Sequence, residues 1–153
     1  MARTKGGVTS TVSKTLIGID PGKMTGVAVL RPNSDTPEVH EMDTEVFWAW
    51  VHDTLYNAWQ KYDIVCEAFV ISQRTVKSTS QTWSLELIGL LKWVSWHRGH
   101  DFELLQASAA KKFSTDDRLK EFGWYTPGKG HANDACRHLL LHALKRGVVS
   151  LPE

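Results

Sequence analysis

Residues 16–30 (LIGIDPGKMTGVAVL) constrain the fold more than any other stretch of this chain. Two short apolar runs flank a turn rich in glycine and proline, the pattern of a β-hairpin. Asp20 stands where the first run gives way to the turn. A carboxylate there is held by the sheet yet exposed at its edge, which suits a metal ligand or a phosphate site. It equally suits a turn aspartate capping its own loop, so other parts of the chain must decide.

The strongest second signal is residues 64–71 (IVCEAFVI), an apolar run broken only by Glu67. Such a run is expected for a strand buried on both faces. A glutamate inside it is costly unless its charge is compensated. A divalent cation would do that; so would a salt bridge or a position at the strand end. Between these two signals, residues 31–37 read as a loop and residues 39–44 alternate like a third strand. Residues 45–62 place Phe47, Trp48, Val51, Leu55, Trp59 and Tyr62 at helical spacing, as packing residues.

Residues 72–82 (SQRTVKSTSQT) form a polar loop carrying Arg74 and Lys77. The helix expected over residues 83–98 is apolar around most of its circumference and needs cover on more than one side. A short strand over 102–106, a small helix over 107–113 and another over about 115–121 follow. A Ser114…Asp117 capping signature starts that last helix and accounts for Asp116 and Asp117. The glycine-rich loop 126–130 (TPGKG) leads into a final helix over about 131–146. Ala132, Ala135, Leu139 and Ala143 make its inward stripe, small enough to approach a sheet closely. His131 and Asp134, three apart, share a face at its N-terminal end, where the helix dipole favours an ionised carboxylate.

Length and charge set the outer bounds. At 153 residues the chain is most simply one globular domain. Residues 1–14 read as a disordered basic tail without the apolar segment of a signal peptide, and residues 15–153 as the domain. No apolar run is long enough to span a membrane, and Cys66 and Cys136 read as buried, reduced thiols, so a cytoplasmic protein is expected. The net charge of +1 announces no nucleic-acid binder, but its distribution is uneven. Residues 20–70 hold nine Asp/Glu against three Lys/Arg, and residues 71–147 hold seven against twelve. An acidic site rimmed by phosphate-binding residues fits that split.

The order of elements describes a mixed α/β domain with Asp20 on the first strand, Glu67 on the fourth and Asp134 on the last helix. Such elements can meet at one sheet edge. Acidic and imidazole ligands around divalent ions form the usual two-metal site for phosphodiester hydrolysis. The set Ile-Gly-Ile-Asp-Pro-Gly…Thr-Gly, then Ile-Val-Cys-Glu, then His-Ala-Asn-Asp-Ala resembles the RuvC-like Holliday junction resolvases, in order from Leu16 to about Leu144. Each motif is weak singly; together, at these spacings, they are specific.

The resemblance implies an RNase H-like fold, a mixed sheet of about five strands flanked by α-helices. It implies a homodimeric crossover junction endodeoxyribonuclease using two Mg2+ or Mn2+ ions per active site. Its partner would be branched DNA, with neither a membrane nor a nucleotide cofactor involved. Carried over, Asp20, Glu67 and Asp134 would be the catalytic metal-ligating carboxylates. His131 would stand where the family has a second aspartate or, in some members, a histidine. Lys111, Lys112 and Arg118 fall in a stretch that contacts DNA in the family. Phe69 lies two positions after Glu67, where the family has a junction-opening aromatic three positions on. Together with Arg74, Lys77 and Lys129, these residues would make the DNA-facing rim. The compact length also resembles phage-encoded members, and action in a bacterial or infected-host cytoplasm follows from that likeness.

Three other readings share parts of this pattern. A broader branched-DNA or flap nuclease would have the same site and differ in substrate. A nucleotide-binding protein of the actin and sugar-kinase type has a phosphate loop like residues 17–25, but needs two lobes where this chain has residues for one. A non-catalytic junction-binding protein would not need the full set of ligand types.

Overall fold

Strand β2 (Leu16–Asp20) runs through the middle of a five-stranded sheet. The computed structural model describes residues 7–8, 13–69 and 80–152. β3 (Met24–Leu30) folds back antiparallel on β2, and β4 (Glu38–Asp43) pairs antiparallel with β3. On the other side β5 (Asp63–Ala68) and β6 (Asp101–Gln106) both run parallel to β2. The long helix α2 (Ser80–Arg98) makes the crossover between those two. This is the mixed α/β sheet of five strands that the sequence led us to expect.

Alternation along each strand splits the core in two. Ile17, Ile19, Val27, Val29, Ile64 and Cys66 pack on one face against α1 (Thr44–Trp50), the π-helical turn Val51–Tyr56 and α2. Leu16, Ala28 and Leu30 pack on the other face against α4 (Asp116–Phe122) and α5 (Gly130–Lys145). The same alternation puts Asp20, Gly18 and Leu16 on the α5 side, and likewise Glu67, Val65 and Asp63. Each large apolar side chain so buried contributes about 2 kcal/mol.

Helix α5 lies unusually close to the sheet, and two glycines explain why. A Cβ on Gly18 would stand 2.5 Å from the Ala135 carbonyl oxygen, and one on Gly26 would collide with the His131 carbonyl. Gly26 pairs directly with Asp20 across the hairpin. The helix therefore sits flush on β2 and β3 because both strands lack a side chain where it crosses.

Several local expectations are corrected. The single helix expected over 45–62 is a short α-helix followed by the π-helical turn, and it ends before residue 57. Thr115, not Ser114, caps α4, accepting from the Arg118 amide. Ser114 is instead buried, its hydroxyl donating to the Arg137 carbonyl at 2.9 Å. Gly7–Val8, in the stretch expected to be a disordered tail, pairs as β1 with β7 (Val149–Ser150). Residues 1–6 and 9–12 of that tail lie outside the described residues.

At the end of the sheet opposite Asp20, buried Asp63 meets His142 Nε2 at 2.9 Å and Arg146 Nε at 3.2 Å. Burial acts to raise the Asp63 carboxyl, but the His142 hydrogen bond and the nearby His142, Arg146 and Lys14 charges outweigh it and hold it below the ordinary carboxylate value. A lowered folded-state pKa means stability that is present above the unfolded value of 3.8 and lost as pH falls through the folded value. Asp63→Asn should therefore cost about 2–3 kcal/mol at pH 7, because Arg146 loses its buried carboxylate partner and keeps only the half-exposed Glu103 nearby. Thermal melts of wild type and variant from pH 7 to pH 3 check this: the gap should shrink as pH falls.

Candidate active site

Three elements deliver the site. β2 ends on Asp20 and β5 carries Glu67 near its end, both on the α5 side, while α5 brings His131 and Asp134 in its first two turns. The hairpin turn that holds Asp20 is braced twice. Buried Thr25 accepts from the Gly22 amide at 3.4 Å and donates to the Gly22 carbonyl at 3.2 Å. Ser84 of α2 donates to the Pro21 carbonyl at 2.9 Å. The proline, glycine and threonine of the motif thus serve to fix the backbone that ends at Asp20.

Asp20 is hydrogen-bonded to Glu67, and its Oδ2 lies 3.3 Å from His131 Nδ1. Burial, then the Glu67 hydrogen bond and the Glu67 and Asp134 charges, push the Asp20 carboxyl up to about 9, against the opposing charge of Lys111. Two carboxyls this close resist being ionised together, so the pair retains a proton in the absence of a cation. That is how Glu67 is accommodated in an otherwise apolar strand. Behind the pair, burial followed by the Asp20 and Glu67 charges pushes the Cys66 thiol well up, and burial pushes Cys136 up to about 12. Neither thiol is poised as a nucleophile.

The donor chemistry fits a hard divalent cation: oxygen ligands in excess of protein cations, with one imidazole beside them. Among the described residues no three His, Cys, Asp or Glu side chains yet cage an ion. Asp134 Oδ1 is paired with Arg137 Nε at 3.2 Å. Of the four residues named from the sequence, Asp20 and Glu67 stand at the same end of neighbouring strands, His131 lies 3.3 Å from Asp20, and Asp134 acts on Asp20 through its charge.

The basic residues are less uniform. Lys111 and Lys112 are exposed on α3 (Ala107–Phe113), and Lys111 acts on Asp20. Lys129 is exposed at the N-terminus of α5. The Arg118 guanidinium is folded back, 4.5 Å above the Phe113 ring and donating to the Phe113 carbonyl at 2.9 Å. Phe69 is half-buried and packed against the core on the α2 side of the sheet. Arg74 and Lys77 lie outside the described residues.

Two contributors were missed from the sequence. Asn133 clamps the glycine-rich loop: its Oδ1 accepts from the Thr126 amide and its Nδ2 donates to the Thr126 carbonyl, both at 2.9 Å. An asparagine in a helix's first turn is the visible signal, since its side chain readily bonds nearby backbone. Arg137 is the other, together with Asp116, which capping alone does not explain: the two form a close ion pair. One arginine on a helix carries no sequence signal of that kind.

No protein-family model and no curated protein matches the chain in sequence. The solved structures similar to it include two of RuvC. One is T. thermophilus RuvC in complex with a Holliday junction substrate, with TM-score 0.61 and 16% identity, covering 92% of this chain and 99% of that one. The other is a Thermus thermophilus RuvC structure, with TM-score 0.56 and 16% identity, covering 91% of this chain and 99% of that one. Over nearly its whole length, the chain has the RNase H-like fold in the form it takes in RuvC.

Proposed function

We propose that this chain is a divalent-cation-dependent endonuclease that resolves four-way DNA junctions by paired phosphodiester hydrolysis. The observation that carries the reading is the Asp20–Glu67 pair, with His131 in contact and Asp134 adding its charge, at the sheet edge of a RuvC-like fold. Asp20, Glu67 and Asp134 would hold Mg2+ or Mn2+, two ions per site, with His131 beside them. When bound, such ions lower the pKa of the attacking water and stabilise the leaving oxygen.

The chain's own residues do the rest. Only ionised carboxylates could ligate, so the proton that Asp20 and Glu67 share would have to pass to solvent before Asp20 could hold a cation. His131, in contact with Asp20 and half exposed, is placed to orient a water or accept a proton at Nε2. Lys111, exposed and near enough for its charge to act on Asp20, would offset the repulsion between these carboxylates and an approaching phosphate. Phe69 is half-buried against the core as it stands, so any role in opening a junction would require it to move.

A junction with two-fold symmetry is best cut in pairs by a two-fold protein, and we propose a homodimer. Its basis is the aromatic face of α2 and the π-helical turn. Tyr56, Trp93 and His97 stack there with ring centroids 5.1–6.1 Å apart, beside Trp96, which is 78% exposed. A cavity of about 370 Å3 opens between Trp48, Tyr56, Leu90 and Trp93. A contiguous apolar patch of this kind favours a protein neighbour over water. Sedimentation should show a dimer at micromolar concentration; monomer alone, with and without DNA, would remove this part of the proposal.

Cleavage of labelled four-way junction, fork, flap and linear duplex side by side, with Mg2+ or Mn2+, tests the function. The junction should be cut fastest, by symmetric nicks. Preferential cutting of flaps or forks would make this a broader branched-DNA nuclease, and junction binding without cutting would make it a binding protein. Changing Lys111 and Lys112 together to alanine should weaken binding of every DNA substrate. It should also lower the slope of log affinity against log salt by about 1–2, because each phosphate contact contributes close to one unit. Fluorescence anisotropy across a salt series measures this, and an unchanged slope would take both residues out of the interface.

A further inference from the structure

Arg137 is 14% exposed and makes contacts in three directions. Its Nε donates to Asp134 Oδ1 at 3.2 Å, and one terminal nitrogen donates to the Ser114 carbonyl at 2.7 Å. The other is paired closely with Asp116 in the first turn of α4. Ser114 returns the contact, its hydroxyl donating to the Arg137 carbonyl. Burial acts against the guanidinium charge, and the Asp116 and Asp134 hydrogen bonds outweigh it.

This arrangement does more than hold helices together. A guanidinium is a rigid planar fork, so fixing two of its edges fixes the third. Ser114 and Asp116 hold those edges, and the third is spent on the Asp134 carboxylate. One Asp134 oxygen is thereby occupied and the other left for a ligand, its direction set from the turn between α3 and α4. Residues that hold a metal-binding carboxylate in this way commonly change metal affinity or activity by 10–100-fold when removed.

We propose that Arg137 is a positioning residue for Asp134, orienting that carboxylate toward the cation site according to how Ser114 and Asp116 hold its guanidinium. The proposal rests on the metal-site reading given above.

The test uses Mn2+ binding by calorimetry alongside the Mn2+ dependence of junction cleavage. The most informative variant is Asp116→Asn, because Asp116 lies at an exposed helix start and its change leaves both the core and Asp134 in place. Asp116→Asn and Arg137→Ala should each weaken Mn2+ binding about tenfold or more and raise the Mn2+ needed for half-maximal cleavage by a similar factor. Arg137→Lys should recover only part of the loss, since an ammonium cannot hold three directions at once. Asp117→Asn removes the same charge one residue on and should leave Mn2+ affinity at the wild-type value. Asp20→Asn, measured in the same series, separates the two levels of the account. Loss of Mn2+ binding in Asp20→Asn with wild-type affinity in Asp116→Asn and Arg137→Ala overturns the positioning role and leaves the metal site standing. Wild-type affinity in Asp20→Asn overturns both. Equal weakening by Asp116→Asn and Asp117→Asn would reduce the effect to bulk charge and overturn the proposal.

Discussion

Asp20→Asn should melt several degrees above the wild-type protein in the absence of metal, and should cut no DNA. The sign follows from the raised carboxyl. Asp20 has a folded-state pKa of about 9 against 3.8 when unconstrained. A raised value means a contribution to stability that is full below 3.8 and is lost as pH rises towards 9. At pH 7 the unfolded chain therefore gains by releasing a proton that the folded chain must keep. Asparagine removes that advantage while its amide donates to Glu67 as the protonated acid did. The gain is on the order of 2 kcal/mol at pH 7, worth about 4–8 °C in melting temperature for a chain of this size. It should be larger at pH 8 than at pH 5. Melts in a chelator at both values measure it, and a gap that narrows with rising pH would contradict the paired-carboxyl geometry. Cleavage should fall about a thousandfold or more, because the amide cannot supply the charge that binds a cation. Junction affinity should hold or rise, a repulsive carboxylate having gone.

The second large effect is expected at a residue with no reactive group. Gly26→Ala would place a methyl group on the His131 carbonyl, with the Ala132 amide 3.0 Å away. Backbone cannot turn aside as a side chain can, so the start of α5 must lift off the sheet. The cost is about 3 kcal/mol, at the upper end of what overpacking does. Because the displaced turn carries His131 and leads to Asp134, cleavage by the folded fraction should also fall about a hundredfold, as sub-ångström placement is lost. Gly89→Ala is the internal control: a Cβ there meets nothing within 4 Å. In the interior of α2 it should add about 0.5–1 kcal/mol of stability. Chemical denaturation combined with single-turnover cleavage separates the two effects. A Gly26→Ala protein with unchanged stability and rate would mean that α5 does not depend on that close approach.

The glycines also mark where sequence reading stops. In one dimension Gly18 and Gly26 stand on either side of a turn, and nothing near them in the sequence marks them out. Their real role depends on a helix more than a hundred positions away, which no local pattern contains. Asp20 and Glu67 were legible because one ends an apolar run and the other breaks one, and a carboxylate in such a place demands a reason. The final helix was legible from its stripe of small residues. Arg137 was not, since a single charged residue on a helix flank looks like solvated surface until Asp134, Asp116 and Ser114 are brought around it. Asp116 and Ser114 were misread for a related reason: the capping signature explains helix starts so well that it hides a second partner. The π-helical turn and the β1–β7 pairing left no signal in the sequence either, one being a single-residue change of helical period and the other two residues long.

The central claim is that Asp20, Glu67 and Asp134 together hold the cations on which junction cleavage depends. Its most direct test is the single-turnover rate of four-way junction cleavage at saturating Mn2+ by wild type, Glu67→Gln and Asp134→Asn, with junction affinity measured in parallel. The account predicts that both variants bind the junction as wild type does and cut it at least about a thousandfold more slowly. Cutting at the wild-type rate by either variant would contradict it.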